Sequence, residues 1–240
     1  MSDLNPEDLF EAIDRLLAGL LERAGVTQPP VDAVSVAGDH LGIPIEIVEP
    51  ELDEQGRPKQ ARRRESASIA LTEGMTLEQQ NAVAANGIAR SLLPEVLRKL
   101  EIPGGAESKN AVNHIRGLVV PRLLVPTKLL RAELRHCGYD VLELQRRFVT
   151  ASVEVVAQRL LDLDEPCAIT MADDGIVAFR KANRFAINRR LLPAEQECLD
   201  RVMQSDGPER VRSETWTIMG WPVPDRPFRR VVMRSVPDEV

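Results

Sequence analysis

Up to Leu163 the apolar residues of this chain recur mostly every three or four positions; beyond it they tend to alternate every second position. That change of period constrains the fold most, because a stripe of period 3.6 can bury itself only as a helix and one of period 2 only as a strand. Residues 6–24 set Leu9, Ile13, Leu16, Leu17, Leu20 and Leu21 on one helical stripe, with Asn5 as cap, Pro6 in the first turn and Gly25 as the stop. Residues 31–42 read as a second helix ended by Gly42, 43–49 (IPIEIVE) as a strand, and 66–71 (SASIAL) as another short strand. Thr76 and Gln79 form a capping box for a helix to Leu93, which Pro94 halts or kinks. Further helices are expected over 107–120 and 127–138, and two shorter ones over 141–148 and 152–163 give a helix-turn-helix outline. After Leu163, residues 167–172 and 176–181 flank an Asp-Gly turn at 174–175 and read as a hairpin. A helix from Pro193 to about Met203 and strands near 211–219 and 228–236 complete a small tail. The expected class is α+β and mostly helical, with a small sheet and a C-terminal αβ extension.

Composition sharpens this. Aromatic residues are only 3% of a chain that is 43% hydrophobic, so Leu, Val, Ile and Ala must fill the core, which favours helix packing. With 31 basic and 37 acidic side chains the formal charge is −6, so the total gives no pull towards nucleic acid or an anionic membrane. No stretch approaches the roughly 20 apolar residues of a spanning helix, and the acidic start is unlike a signal peptide, so a cytoplasmic location is expected. Cys137, Cys167 and Cys198 are an odd set without a CxxC, which points to buried thiols rather than a disulfide framework or zinc knuckle. His40, His114 and His136 have no ligand spacing among themselves, and no GxSxG elbow is present.

Two local concentrations stand out. Arg57, Lys59, Arg62, Arg63 and Arg64 lie in a charged segment, 50–65, that reads as an exposed loop whose bases balance the acids at 49–54. Nucleic acid or an acidic partner is the functional alternative for that run. Trp216 and Trp221 with Pro222, Pro224 and Pro227 either plug the end of a small sheet or shape a binding groove.

Four segments together resemble the ImmA/IrrE family of zinc metallopeptidases. VDAVSVAGDHLGIPIEIVE from Val31 is similar to the family's opening helix and strand, and SIALTEGMTLEQQNAVAANGIARSLL from Ser68 to its strand and active-site helix. GLVVPRLLVP from Gly117 looks like the next helix end, and LELQRRFVTASVEVVAQRLLDL from Leu142 matches the family's helix pair best of the four. The resemblance covers roughly 30–163 and implies a zincin-like scaffold with three segments: 1–29 an N-terminal helix, 30–163 the peptidase-type domain, 164–240 the extension.

In that family two His four residues apart on a helix bind zinc and the intervening Glu polarises the bound water. At the matching places this sequence has Asn86 and Arg90 for the imidazoles and Gly87 for the glutamate. The stretch that would supply an acidic ligand, 113–118, holds no carboxylate, and His114 is its one weak candidate. A guanidinium about 5 Å from a dication is repelled by roughly 1.7 kcal/mol even in bulk water, and more in a less polar cleft. Zinc is therefore expected to be absent, and Arg90 to favour an anion or carboxylate partner. Gly87 in mid-helix costs about 1 kcal/mol relative to Ala, a cost that close backbone packing would explain.

The leading expectation is a catalytically inactive, regulatory ImmA/IrrE-like domain that binds a protein or peptide partner through the former active-site cleft, with Asn86, Gly87 and Arg90 as recognition positions. One alternative is an active metalloendopeptidase cleaving a repressor with other ligands. The other is a DNA-binding regulator using the helix pair, with Arg146, Arg147, Gln158 and Arg159 as contacts. Against it, Glu154 and Asp162 would face phosphate unfavourably, and the valines and leucines of the second helix leave it little polar surface.

Overall fold

A computed structural model describes residues 6–50, 68–99, 109–224 and 226–238. The basic run at 57–64 and the cap Asn5 lie outside them. The class is α+β. Contacts divide the chain into two compact units: residues 1–138 with 146–151, and residues 139–145 with 152–240. The chain crosses between them three times: after Gly138, after Gln145 inside α6 (Val141–Arg147), and after Ala151.

The first unit is helical around a two-stranded sheet. Helix α1 (Pro6–Arg23) buries Ile13, Leu16, Leu17, Leu20 and Leu21, the stripe read from the sequence. The second expected helix is a short α2 (Ala33–Ser35) capped by Asp32, whose Oδ1 accepts from the amides of Val34 and Ser35. It widens into a π turn, Val36–His40. Strands β1 (Ile45–Val48) and β2 (Ile69–Thr72) pair in parallel, with Ile45 opposite Ile69.

Helix α3 (Leu77–Lys99) starts at the expected capping box: the Thr76 amide donates to Gln79 Oε1 at 3.0 Å and the Gln79 amide to Thr76 Oγ1 at 3.3 Å. It does not stop at Leu93; Pro94 lies inside it, and Pro121 likewise lies inside α4 (Lys109–Leu124). Helix α3 buries the small residues Ala84, Ala85 and Ala89, and α4 packs on it. Buried Asn81 ties α3 to α2, its Oδ1 accepting from the Ala33 amide at 2.7 Å and its Nδ2 donating to Leu77 O at 3.0 Å. Helix α5 (Thr127–Cys137) follows, ended by Gly138 at φ +60°. Thr150 Oγ1 donates to Val31 O at 2.7 Å, fastening 146–151 to this unit.

The second unit is an antiparallel five-stranded sheet in the order β4-β3-β7-β6-β5: β3 (Ala168–Asp173), β4 (Ile176–Ala182), β5 (Glu209–Arg212), β6 (Trp216–Val223) and β7 (Arg230–Pro237). The Asp-Gly hairpin is as expected, with Asp174 at φ 48° and Gly175 at φ 83°. The strand expected over 211–219 is instead two, β5 and β6, because Ser213–Thr215 turn the chain and Trp216 O accepts from the Ser213 amide.

Both sheet faces are covered. On one, α8 (Pro193–Ser205) packs Cys198, Leu199 and Val202 against Ala172, Val211, Ile218, Val231 and Met233. On the other, α7 (Val153–Arg159) meets β3 and β7. The expected boundary at 163/164 therefore differs from the one the contacts draw: α7 shares the core of the sheet and not that of the helices. Nor does the segment 1–29 stand apart, since α1 packs on α3 and α4.

Candidate functional site

Helix α3 carries Asn86, Gly87 and Arg90, the positions that the resemblance matched to a zinc motif. Gly87 is buried, and a Cβ added there would lie 2.5 Å from both Cδ1 and Cγ1 of Ile69 on β2. Real Cβ atoms do not approach so closely, so the missing side chain is what lets α3 settle on the strand. Ile69, itself 1% exposed, fills the space that a glutamate at 87 would need.

Asn86, one residue back, is half-buried. Its Nδ2 donates to Ala82 O at 2.8 Å and its Oδ1 accepts from Arg116 Nη2 on α4 at 3.1 Å. Arg90, one turn on from Asn86, is exposed, and so is His114. The α4 side chain that reaches Asn86 is Arg116, which sequence reasoning passed over; its only sequence signal was a position two residues beyond His114, inside the stretch already searched for a ligand. The surface here combines a carboxamide with guanidinium groups. Among the described residues, no group of three or more His, Cys, Asp or Glu side chains is placed to hold one metal ion. A zinc site does not fit these residues.

Two cavities formed by described residues lie away from the expected former-site cleft. In the first unit a groove of about 1020 Å³ is lined by α1 and the end of α4 with α5, including Leu17, Leu21, Arg122, Leu129 and Arg131, and contains none of Asn86, Gly87, Arg90 or His114. In the second unit a cavity of about 310 Å³ is lined by Pro222, Pro227, Phe228 and Arg226 among others. Of the two tryptophans, Trp221 is in the core and Trp216 is half-buried, its ring meeting Phe185 edge-on at 5.4 Å.

The helix-pair residues are distributed unevenly. Arg146 and Arg147 are exposed, with Arg147 Nε 4.0 Å from Glu133. Gln158 is half-buried. Arg159 corrects the expectation of a phosphate contact: it is 1% exposed and paired with Asp162, so it holds the turn after α7. Glu154, expected to repel phosphate, is engaged inside the second unit by Arg226 Nη2 at 2.9 Å and Arg230 Nη1 at 2.7 Å. Burial pushes its carboxyl up, but the hydrogen bonds from Arg230 and Arg226 outweigh this and hold it below its ordinary value. Arg230 does the same to Asp173 at 2.6 Å, and its own pKa rises in turn.

The three cysteines are free thiols; Cys167 and Cys198 are buried and Cys137 is half-buried. Burial pushes Cys198 up to about 12 and raises Cys167, so neither is a ready nucleophile. His40 and His136 are exposed. Among the described residues no helix is long and apolar enough to cross a membrane.

No family model matches the sequence, and no curated protein matches it either. Among solved structures the chain is similar to a Mycobacterium tuberculosis transcriptional regulator, with a TM-score of 0.66 over 96% of this chain and 76% of that one at 17% identity. At that identity the likeness shows a shared fold.

Proposed function

We propose that this chain is a non-catalytic ImmA/IrrE-like domain with a regulatory role, binding an acidic segment of a protein partner at the α3–α4 surface around Asn86, Arg90 and Arg116. The observation that carries the reading is the seating of Gly87 on Ile69. Water activation by the zinc mechanism needs a carboxylate beside the metal, and position 87 supplies none: even a Cβ there would meet Ile69 Cδ1 and Cγ1 at 2.5 Å. Arg90 and the Asn86–Arg116 pair leave a surface that favours carboxylates. The shared fold with a transcriptional regulator supports the regulatory part.

The test is zinc analysis of the purified chain after dialysis against the metal, together with anisotropy titration of a labelled Glu-rich peptide. Substoichiometric zinc and peptide binding that Arg90→Glu abolishes are expected. Stoichiometric zinc with chelator-sensitive proteolysis would overturn the non-catalytic reading; peptide binding unchanged by Arg90→Glu would overturn the assigned surface.

A further inference from the structure

The second unit carries a run of basic residues that neither the α3 surface nor the helix pair accounts for. Between Asp174 and Glu195 the sequence holds Arg180, Lys181, Arg184, Arg189 and Arg190 and no acidic residue, within a chain whose total charge is −6. Arg180 is consumed internally: its side chain is 2% exposed, and its Nη2 lies 2.6 Å from Glu195 Oε2. The other four are exposed. Lys181 sits on the sheet's edge strand β4, and Arg184, Arg189 and Arg190 on the segment 183–192 that leads from it to α8. Among the described residues only Arg184 of these four has an ion-pair partner, Asp164 at 3.0 Å, in a pair with 48% and 80% exposed side chains that competes weakly with another anion.

The segment is irregular yet fastened along its length. Asn183 accepts from the Cys167 amide and donates to Leu163 O and Glu165 O, each at 2.9 Å. Phe185 turns onto Trp216, Arg180 Nε donates to Asn188 O at 2.8 Å, and Leu191 packs on the α8 core. Four like charges are thus held on a pinned strand end and loop, where a polyanion binds without the cost of ordering a mobile segment.

A protein interface would need apolar anchors, but the large apolar side chains of the segment, Phe185, Ile187, Leu191 and Leu192, are half-buried, its one exposed apolar residue is Ala186, and the exposed Ile176 of β4 lies five residues before Lys181. With no exposed aromatic ring to stack on a base, contact is confined to phosphates. We infer that Lys181, Arg184, Arg189 and Arg190 form a sequence-independent contact for the nucleic-acid phosphate backbone.

The experiment uses the full chain and a labelled 20-base-pair duplex of arbitrary sequence, with anisotropy read between 25 and 200 mM salt. Three to four phosphate contacts predict a log affinity against log salt slope of about −3. Charge reversal by K181E, R189E and R190E together should abolish binding across the range, while R146A with R147A should leave the slope unchanged. Tryptophan fluorescence shows that the reversed variant is folded, since both tryptophans lie in this unit. The inference is overturned by absence of binding at 25 mM salt, by binding that survives the triple reversal, by a slope that falls with R146A and R147A, or by a polyglutamate peptide that displaces the duplex at equal charge concentration.

Discussion

Each unit seats a helix on a strand through a glycine, and the surroundings differ. In the first, Gly87 of α3 meets Ile69 of β2 among alanines and leucines. In the second, Gly220 of β6 meets α8, where an added Cβ would lie 2.8 Å from Val202 Cγ2 and 2.9 Å from Cys198 Sγ. Beside that contact the second unit also buries a charge pair. Glu195, 0% exposed, accepts from Arg180 Nη1 and Nη2, from Ser235 Oγ at 2.6 Å and from the Leu192 amide at 2.8 Å. A glycine contact is therefore a packing device in both units. Buried charges in the second unit fix the sheet, while the charges left outside are the ones available to partners.

The largest expected effect tests whether that buried pair matters to the second unit alone. Glu195→Ala strands the Arg180 guanidinium and should destabilise the unit by about 3–5 kcal/mol, read as a lower urea midpoint in tryptophan fluorescence. Replacing both partners by Leu and Met should recover most of the loss. If the single and double variants are equally unstable, the volume of the side chains and not their charge holds the site.

Next come the glycines. Gly87→Ala gains helix propensity of about 1 kcal/mol but overpacks a filled contact at about 1–3 kcal/mol, so a net loss is expected by circular dichroism melting, relieved in combination with Ile69→Ala. Gly220→Ala should behave alike and be relieved by Val202→Ala. A stabilised Gly87→Ala chain would show that Ile69 yields to a side chain at 87 and would remove the support that this contact lends to the non-catalytic reading.

A smaller effect is set by pH. Asp173 and Glu154 have folded pKa values held below their ordinary ones, 3.8 and 4.5, by Arg230 and Arg226. Their contribution is complete above the carboxylate range and is lost as pH falls through and below it. Unfolding temperature followed by tryptophan fluorescence should therefore drop below about pH 4.5, and less steeply in Arg230→Met. An equal drop in both proteins would assign the acid sensitivity elsewhere. The smallest expected change is Thr76→Ala, which removes the capping box of α3 at about 1 kcal/mol and should leave tryptophan fluorescence of the second unit unmoved.

Much of the local structure was legible. The α1 stripe, the Thr76–Gln79 box and the Asp174–Gly175 turn depend on contacts within a few residues, which sequence spacing records directly. The helices expected to reach Leu93 and residue 120 run further, through Pro94 and Pro121. The turn at 213–215 was missed for want of Gly or Pro.

At the candidate site, the residue types at 86, 87 and 90 were plain from the sequence, but not their neighbours. Arg116 meets Asn86 from 30 residues away, and Ile69 reaches Gly87 from another element.

The sequence by itself determined most of the elements, the fold class and the residue types at 86, 87 and 90, none of them an imidazole or a carboxylate, because each is a property of one residue or one short period. Only the tertiary structure decided that Arg159 and Arg180 are interior while Lys181, Arg189 and Arg190 face outward. Whether a charged side chain serves the core or a partner depends on which distant groups surround it, and no local pattern encodes that.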